Sequence, residues 1–193
     1  MDPLDPRSEA PLRDRLAMVL DADPSPAPGP GDRLAAVLVP VLEDGSLVFT
    51  KRSEAMSRHP GEISFPGGLE HAEDRSLAET ALRETEEELG VPPSSVEVLG
   101  ALPPVHTFVS RILIAPFVGI VLGRPVFTPS VEEIAAVLEY PIETLAVAES
   151  EVEWRRAGHV YRGWAYEMGD HTIWGATARI LHSLLRAIEG VRA

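Results

Sequence analysis

Carboxylates crowd one short stretch of this 193-residue chain, and their spacing could hold a metal ion. Eight of the twenty-one residues from Glu70 to Gly90 are acidic. On a helix, Glu88 would lie about 40° to one side of Glu84, and Glu87 about 60° to the other. The three side chains would therefore project into one sector. Carboxylate oxygens are the ligands that Mg²⁺ and Mn²⁺ prefer, and such ions also bind phosphates.

The residues around this trio predict the helix that must carry it, over Ser76 to Leu89. Ser76 and Glu79 have the spacing of a capping box, and Gly90 is a typical helix stop. Glu86 falls about 200° from Glu84 and should face solvent. Ala81, Thr85, Leu89 and Leu82 should pack on a sheet. The trio alone leaves a second interpretation open, an acidic helix face bathed in water.

Two further features favour a site for phosphate. Arg83 would lie about 100° from Glu84, on the Glu87 side, near enough to orient a carboxylate by paired hydrogen bonds. The pair Gly67-Gly68 can bring the backbone close to a phosphate, or bend the chain sharply into the helix.

Together these residues resemble the Nudix box, Gly-x5-Glu-x7-Arg-Glu-U-x-Glu-Glu-x-Gly-U, where U is bulky and apolar. Its positions are occupied by Gly68, Arg83, Glu84, Glu87, Glu88, Gly90 and Val91. The first acidic position holds Asp74, eight residues separate it from Arg83 where the pattern has seven, and Thr85 stands at the first U position. Asp74 therefore has two interpretations, a displaced motif acid or a helix cap.

The residues before the box resemble the signature of the coenzyme A pyrophosphatase branch of that family. Phe49 to Ser53 is followed by Gly61 to Gly68, and Ile173 to Ala178 is similar to the start of that branch's last helix. The longer box is also typical of the branch. Ser57 stands where the signature has its second arginine, with Arg58 beside it. The resemblance implies substrate-binding residues at Arg52, Ser53, Arg58, Gly61, Phe65, Gly67 and Gly68.

The resemblance implies a metal-dependent enzyme that hydrolyses coenzyme A to 3′,5′-ADP and 4′-phosphopantetheine. Glu84, Glu87 and Glu88 would hold Mg²⁺ or Mn²⁺, and Arg83 would orient them. Glu87 or a loop acid would serve as the base. The second hypothesis is a Nudix hydrolase of another nucleoside diphosphate derivative, such as ADP-ribose or NADH. The third is a nucleotide sensor without catalysis, which the intact trio disfavours.

Other candidate residues carry weaker signals. We interpret His59 and His106 as structural or solvated histidines more readily than as acid–base groups. Glu132-Glu133 could supply a second acid to the site or simply lie on the surface. We expect the tryptophans Trp154, Trp164 and Trp174 to belong to the core, although one of them could stack on adenine.

Composition limits the function classes further. The net charge of −13 argues against general nucleic-acid binding, and a phosphate ligand would need bound metal and local arginines. There is no cysteine, no apolar run of membrane-spanning length and no signal-peptide pattern. We therefore expect a cytoplasmic enzyme with a small-molecule substrate, either a monomer or a homodimer.

The hydrophobic pattern predicts a single α+β domain over residues 1–193, with a mixed sheet between helices in a Nudix-like α/β/α sandwich. An amphipathic helix over residues 7–21, with Leu12, Leu16 and Val19 on its apolar side, should precede a linker over 22–32. The final helix should span Ala176 to Ile188. Strands are expected at 34–42, 47–52, 62–65, 96–102, 112–122, 134–140, 151–154, 159–168 and 171–174.

Overall fold

The computed structural model describes residues 11–22, 26–56, 59–107, 110–156 and 159–192. The helices in these ranges are α1 (Leu12–Ala17), α2 (Leu77–Leu89), α3 (Ile142–Ala148) and α4 (Gly175–Arg192), with a 3₁₀ turn at Pro93–Ser95. The strands are β1 (Arg33–Leu42), β2 (Ser46–Arg52), β3 (Ile63–Ser64), β4 (Gly67–Leu69), β5 (Val96–Ala101), β6 (Val105–His106), β7 (Ile112–Val121), β8 (Ile134–Pro141), β9 (Glu149–Arg156), β10 (His159–Met168) and β11 (His171–Ile173).

Eight of these strands form one mixed sheet, in the order β3-β2-β1-β7-β5 with three additional strands. β1 and β7 pair in parallel along their whole length, from Arg33 opposite Ile112 to Leu42 opposite Val121. The other pairs are antiparallel, and β4, β6 and β8 lie against β1, β7 and β2. The predicted α+β architecture with a mixed sheet is confirmed.

Helices cover both faces of this sheet. Under α2, Ala81 packs with Ala36, Leu38 and Phe117. On the opposite face, α4 contributes side chains to the larger cluster of apolar residues that also includes Phe49. The central strands are therefore buried on both sides, which explains their nearly continuous apolar sequence. Among the described segments, no helix combines the length and apolar character that a membrane span requires.

Local sequence sets both ends of α2. Ser76 is extended, with φ −160° and ψ 161°, and its hydroxyl accepts a hydrogen bond from the Glu79 amide at 3.2 Å. The Glu79 carboxylate accepts from the Arg75 amide at 2.8 Å, one residue before the partner that a capping box would use. Gly90 ends the helix at φ 69°, where its amide donates to Glu86 O at 2.8 Å.

The buried face of α2 also accommodates the unusual threonine of the motif. Thr85 is 1% exposed, and its hydroxyl donates to Ala81 O at 2.7 Å. The buried polar group is thus satisfied within the helix, so the smaller residue does not leave an unpaired hydroxyl in the core.

The N-terminal segment departs from its prediction. Residues 7–10 lie outside the described residues, and the helix that follows spans only Leu12–Ala17. Leu16 is fully buried, but Val19 is 37% exposed and does not continue the apolar side. Asp21 instead forms an antiparallel bridge with Ala101, the last residue of β5, so the chain is no longer helical there. Residues 23–25 of the predicted linker are not described.

A second, antiparallel sheet of β11, β10 and β9 is joined to α4 by a polar cluster. The Glu149 carboxylate contacts Tyr166 Oη at 2.7 Å, His182 Nδ1 at 3.0 Å and Arg186 Nη2 at 2.8 Å. Trp164 stacks on His182 with ring centroids 3.7 Å apart. The sequence indicated neither this cluster nor α3, β4 and β6.

Candidate active site

The three carboxylates of α2 differ in exposure. The Glu87 side chain is 60% exposed and that of Glu84 is 16% exposed, whereas Glu88 is 4% exposed. Glu86 faces solvent. The trio therefore lies along the border between the core and the open surface, where a ligand can reach it while part of the site stays shielded from water.

Arg83 is the cation that holds this border together. Its Nη1 donates to Glu84 Oε1 at 2.9 Å and to Glu87 Oε1 at 3.2 Å. Its Nε and Nη2 donate to Asp74 Oδ1 and Oδ2 at 3.0 and 3.1 Å, a two-pronged pair. The hydrogen bond to Asp74 is the main reason that the pKa of Arg83 is raised. Arg83 thus bonds two of the three glutamates that the resemblance implied it would orient.

Asp74 anchors Arg83, and its interpretation as a helix cap is wrong. The cap is Ser76, and the Asp74 side chain is only 5% exposed. Its Oδ2 also accepts from Thr80 Oγ1 at 2.8 Å and from the His71 amide at 3.0 Å. The Arg83 hydrogen bond, followed by the His71 amide, holds the pKa of Asp74 well below its usual range. The extra residue of the box is absorbed in the loop before the helix, so this pairing is kept.

Glu88 is a buried carboxylate whose Oε2 has no hydrogen-bond partner among the described residues. Burial raises the pKa of Glu88 to about 8; nearby Arg52 opposes the rise, and the charges of Glu84 and Glu133 add to it. A hydrogen bond from the Gly67 amide also favours the charged form. An ionised carboxylate at this depth requires a further positive partner.

The two glycines before the helix touch different parts of the site. Gly68, in β4, lies directly against the end of Glu84, and a Cβ added there would come within 2.6 Å of Glu84 Oε2. Gly67 has φ +154°, and a Cβ there would come within 2.6 Å of Val37 Cα and would also meet Ala36 O. Gly68 therefore makes room for a site carboxylate, whereas Gly67 makes room for the backbone of β1.

This difference predicts opposite outcomes for two similar substitutions. Gly68→Ala should lower hydrolysis at least tenfold and leave the thermal midpoint almost unchanged, because only the flexible end of Glu84 must move. Gly67→Ala should destabilise the fold by about 1–3 kcal/mol, because backbone must move at a strained φ. Activity assays and thermal unfolding of both variants measure the contrast. Equal loss of stability in the two would contradict it.

Of the upstream residues, Arg52 and Ser53 reach the border of the site. Arg52 ends β2, and its charge acts on Glu88. The Ser53 amide donates to Glu133 O at 2.7 Å. Gly61 supports the loop, with φ 69° and an amide that donates to Arg52 O at 3.2 Å.

Two of the predicted substrate-binding residues, Phe65 and Arg58, are not among the side chains that the structure shows at the site. Phe65 is 2% exposed and stacks on Phe49 with ring centroids 4.6 Å apart. It packs in the core, so the predicted direct contact with substrate is wrong. Arg58, together with Ser57, lies outside the described residues.

Arg52 is a cation near the site without an anionic partner at salt-bridge distance among the described residues. Its Nη2 contacts Met56 Sδ at 3.0 Å, and its buried Nε has no hydrogen-bond partner. Within the described ranges it forms no ion pair at salt-bridge distance, so pairing with an acid on the sheet is not observed. A guanidinium with an unpaired donor beside the carboxylate border suits an anionic ligand such as a phosphate group.

The loop before β8 closes the other side of the site. The Thr128 amide donates to Leu89 O at 2.9 Å, and the Ser130 amide donates to Glu88 O at 3.1 Å. These bonds hold the loop against the end of α2 and bring the charge of Glu133 close enough to raise the pKa of Glu88. Of the two acids that the sequence left open, Glu133 is the one that reaches the site.

The two histidines singled out in the sequence have surface partners. His59 Nδ1 lies 2.8 Å from Glu62 Oε2, and His106 Nε2 lies 3.3 Å from Asp32 Oδ2. Both side chains are more than half exposed. The interpretation of these histidines as structural or solvated groups fits this geometry.

A shallow depression elsewhere on the surface contains none of these residues. It lies between α3 and the end of β10, and Glu143, Val147, Glu167 and Met168 are among its lining residues. α3 follows the end of β8 that pairs with Ser46, at the opposite end of β2 from Arg52. The depression is therefore remote from the carboxylates.

The carboxylate border fits a divalent ion in its chemistry. No three acidic or histidine side chains of the described residues are gathered into a ready-made metal cluster, since Glu84 and Glu87 turn toward Arg83. The fit comes from Glu88, whose buried Oε2 lacks a partner, and from an all-oxygen donor set. Small rotations of Glu84 and Glu87 away from Arg83 would complete that set.

Comparison with known proteins identifies the family. The model of the NUDIX domain family matches residues 32–162. The chain belongs to the Nudix family. It is 38% identical over 177 residues to a Nudix hydrolase named NudL from Pectobacterium atrosepticum, covering 88% of this chain and 90% of the relative. A NudL protein from Enterobacter is 40% identical over 156 residues, covering 79% and 81%.

Solved structures show the same Nudix fold. A NUDIX hydrolase from Nitrosomonas europaea matches with a TM-score of 0.55 at 19% identity, covering 82% of this chain and 70% of that one. A MutT protein from Methanosarcina mazei matches with a TM-score of 0.55 at 14% identity, covering 88% and 99%. The chain is thus a Nudix pyrophosphohydrolase that acts on a nucleoside diphosphate derivative. Nudix hydrolases generally use divalent ions such as Mg²⁺ or Mn²⁺.

Proposed function

We propose that this Nudix hydrolase cleaves the pyrophosphate bond of coenzyme A, releasing 3′,5′-ADP and 4′-phosphopantetheine. The observation that carries the proposal is Arg52, whose buried Nε lacks a partner beside the carboxylate border. Coenzyme A has a 3′-phosphate in addition to its pyrophosphate. Bound metal neutralises the pyrophosphate, so the additional phosphate needs a cation of its own, and arginine binds phosphate through two donors.

The residues of α2 take distinct roles in this proposal. Glu84, Glu87 and Glu88 would hold Mg²⁺ or Mn²⁺, and the ion would supply charge stabilisation for the pyrophosphate and activation of the attacking water. Arg83 keeps Glu84 and Glu87 in position through its anchor on Asp74. Gly68, which has no side chain, leaves room for the end of Glu84 against the backbone of β4.

Glu133 is the acid that we propose as the general base. Both Glu133 and its neighbour Glu132 are exposed, but only the charge of Glu133 is among those that raise the pKa of Glu88. Glu133→Gln should therefore lower kcat by roughly tenfold to a hundredfold, and the matched change Glu132→Gln should leave kcat nearly unchanged. Steady-state kinetics with saturating Mn²⁺ test this. Equal kcat values for the two variants would contradict the role of Glu133 and leave Glu87 as the candidate general base.

The substrate proposal is tested by comparing kcat/KM for coenzyme A, dephospho-coenzyme A, ADP-ribose and NADH. We expect coenzyme A to be preferred over dephospho-coenzyme A by at least tenfold, and Arg52→Gln to abolish that preference. Lys51→Gln is the matched control, because Lys51 is the adjacent cation on β2 and is not among the charges that shift the pKa of Glu88. A clear preference for a substrate without the 3′-phosphate would overturn the proposal. That result would favour ADP-ribose or NADH, which lack a 3′-phosphate.

A further inference from the structure

Trp174 stands at an unusual place for a tryptophan, and the expectation that it belongs to the core is wrong. It is 51% exposed, directly after β11 and directly before α4. Trp164, by contrast, is occupied by its stack on His182. No ring among the described residues stacks on Trp174, and the side chain of Trp154 is not described. The structure thus singles out one open indole.

The position of Trp174 relates it to the candidate active site. The preceding residue, Ile173, is fully buried and fixes the end of β11 in the core. β11 packs against β3, the strand that leads into the glycine pair. Ser64 is three residues from Gly67, so the extended chain between them spans at most about 10 Å. β11, whose end carries Trp174, is therefore packed against the segment that enters the glycine pair.

The space beside Gly175, the residue that follows Trp174, is open. Gly175 has φ +67°, and a Cβ added there would have no neighbour within 4 Å. The indole is therefore held at its base by a buried strand while its surface stays accessible. A flat aromatic group in this situation suits a flat partner, and every nucleobase has a π face.

We propose that Trp174 is the stacking platform for the nucleobase of the substrate. This inference rests on the proposed function only through the adenine of coenzyme A, since the family already requires a nucleoside diphosphate derivative. Stacking would hold the base while the diphosphate lies at the carboxylate border, where bound metal would neutralise its charge. It strengthens ground-state binding and makes no contact with the reacting bond, so it acts on KM more than on kcat.

The test is a binding titration without metal, using AMP, adenosine 3′,5′-bisphosphate and ribose 5-phosphate. In the native chain, the two adenosine ligands should quench tryptophan fluorescence. In Trp174→Leu the quench should largely vanish and the Kd for both should rise roughly tenfold, while ribose 5-phosphate binds equally to both proteins. Val160→Ala, at a residue 49% exposed on β10, is the control for loss of an exposed apolar side chain.

The outcomes separate the two proposals. Unchanged quenching and Kd in Trp174→Leu overturn the stacking role. A changed sedimentation coefficient with unchanged ligand affinity also overturns it, and assigns the ring to a contact between copies of the chain. If AMP and the bisphosphate bind equally well and both depend on Trp174, the platform stands and the 3′-phosphate assignment of Arg52 fails.

Discussion

Glu88→Gln is expected to lower pyrophosphate hydrolysis by roughly a hundredfold or more while the fold survives. Glu88 is the most buried carboxylate of the trio, and its Oε2 has no partner among the described residues. Glutamine keeps the shape of the side chain but offers one neutral oxygen in place of a charged pair. The affinity for Mn²⁺, measured by calorimetry, should fall in parallel with activity.

The same variant should change the pH dependence of stability in the metal-free protein. Burial raises the pKa of Glu88 to about 8, so between its ordinary value and about 8 the folded protein keeps a proton that the unfolded chain has lost. The free energy of unfolding contributed by this group therefore falls as pH rises through that window. Urea unfolding in chelator at about pH 5.5 and about pH 8.5 should show a loss on the order of a few kcal/mol. Glu88→Gln should remove it.

Glu86→Gln is the matched control for both measurements. Glu86 lies on the same helix, two residues away, and faces solvent. The Glu86→Gln substitution should leave turnover, Mn²⁺ affinity and the pH profile of unfolding nearly unchanged. Near-normal turnover in Glu88→Gln would contradict the assignment of Glu88 as a metal ligand. If the pH dependence of unfolding persists in that variant, a group other than Glu88 titrates.

The sequence could predict the parts of this molecule that local patterns control. α2 has a complete set of signals, from Ser76 at its start to Gly90 at its end, and its predicted and observed bounds differ by one residue. The long strands β1, β7 and β10 carry strong apolar or β-branched runs, and they also lie close to their predicted positions. The helical periodicity of α2 also predicted the burial of Ala81, Thr85 and Leu89 and the exposure of Glu86, as observed.

The parts that sequence reasoning missed or left open depend on contacts between distant segments. Nothing local indicates that Glu133 returns to Glu88, because the loop is placed by the amides of Thr128 and Ser130 on the end of α2. The exposure of Trp174 depends on how β11 meets β3. Asp74 could have been anticipated, since an acid near a motif arginine is a natural partner. The additional residue in the loop disguised the spacing.

Arg83→Lys is the second substitution expected to have a large effect, lowering hydrolysis roughly tenfold to a hundredfold although the charge is kept. The guanidinium makes two bonds to Asp74 with one edge and reaches Glu84 and Glu87 with Nη1. A single ammonium cannot hold three carboxylates in that arrangement. Glu84 and Glu87 would then sample more positions, so the Kd for Mn²⁺ should rise together with the loss of turnover.

Arg75→Lys provides the comparison that separates positioning from charge. Arg75 also bonds a glutamate, Glu79, but its side chain is 88% exposed, and surface pairs of this kind contribute little. It should leave turnover and Mn²⁺ affinity unchanged. Asp74→Asn should reproduce part of the Arg83→Lys defect, because it weakens the anchor and leaves the metal-facing glutamates intact. If Asp74→Asn weakens Mn²⁺ binding and Arg75→Lys does not, the anchor on Asp74 is part of the catalytic geometry. If both variants bind Mn²⁺ normally, Asp74 serves only the loop.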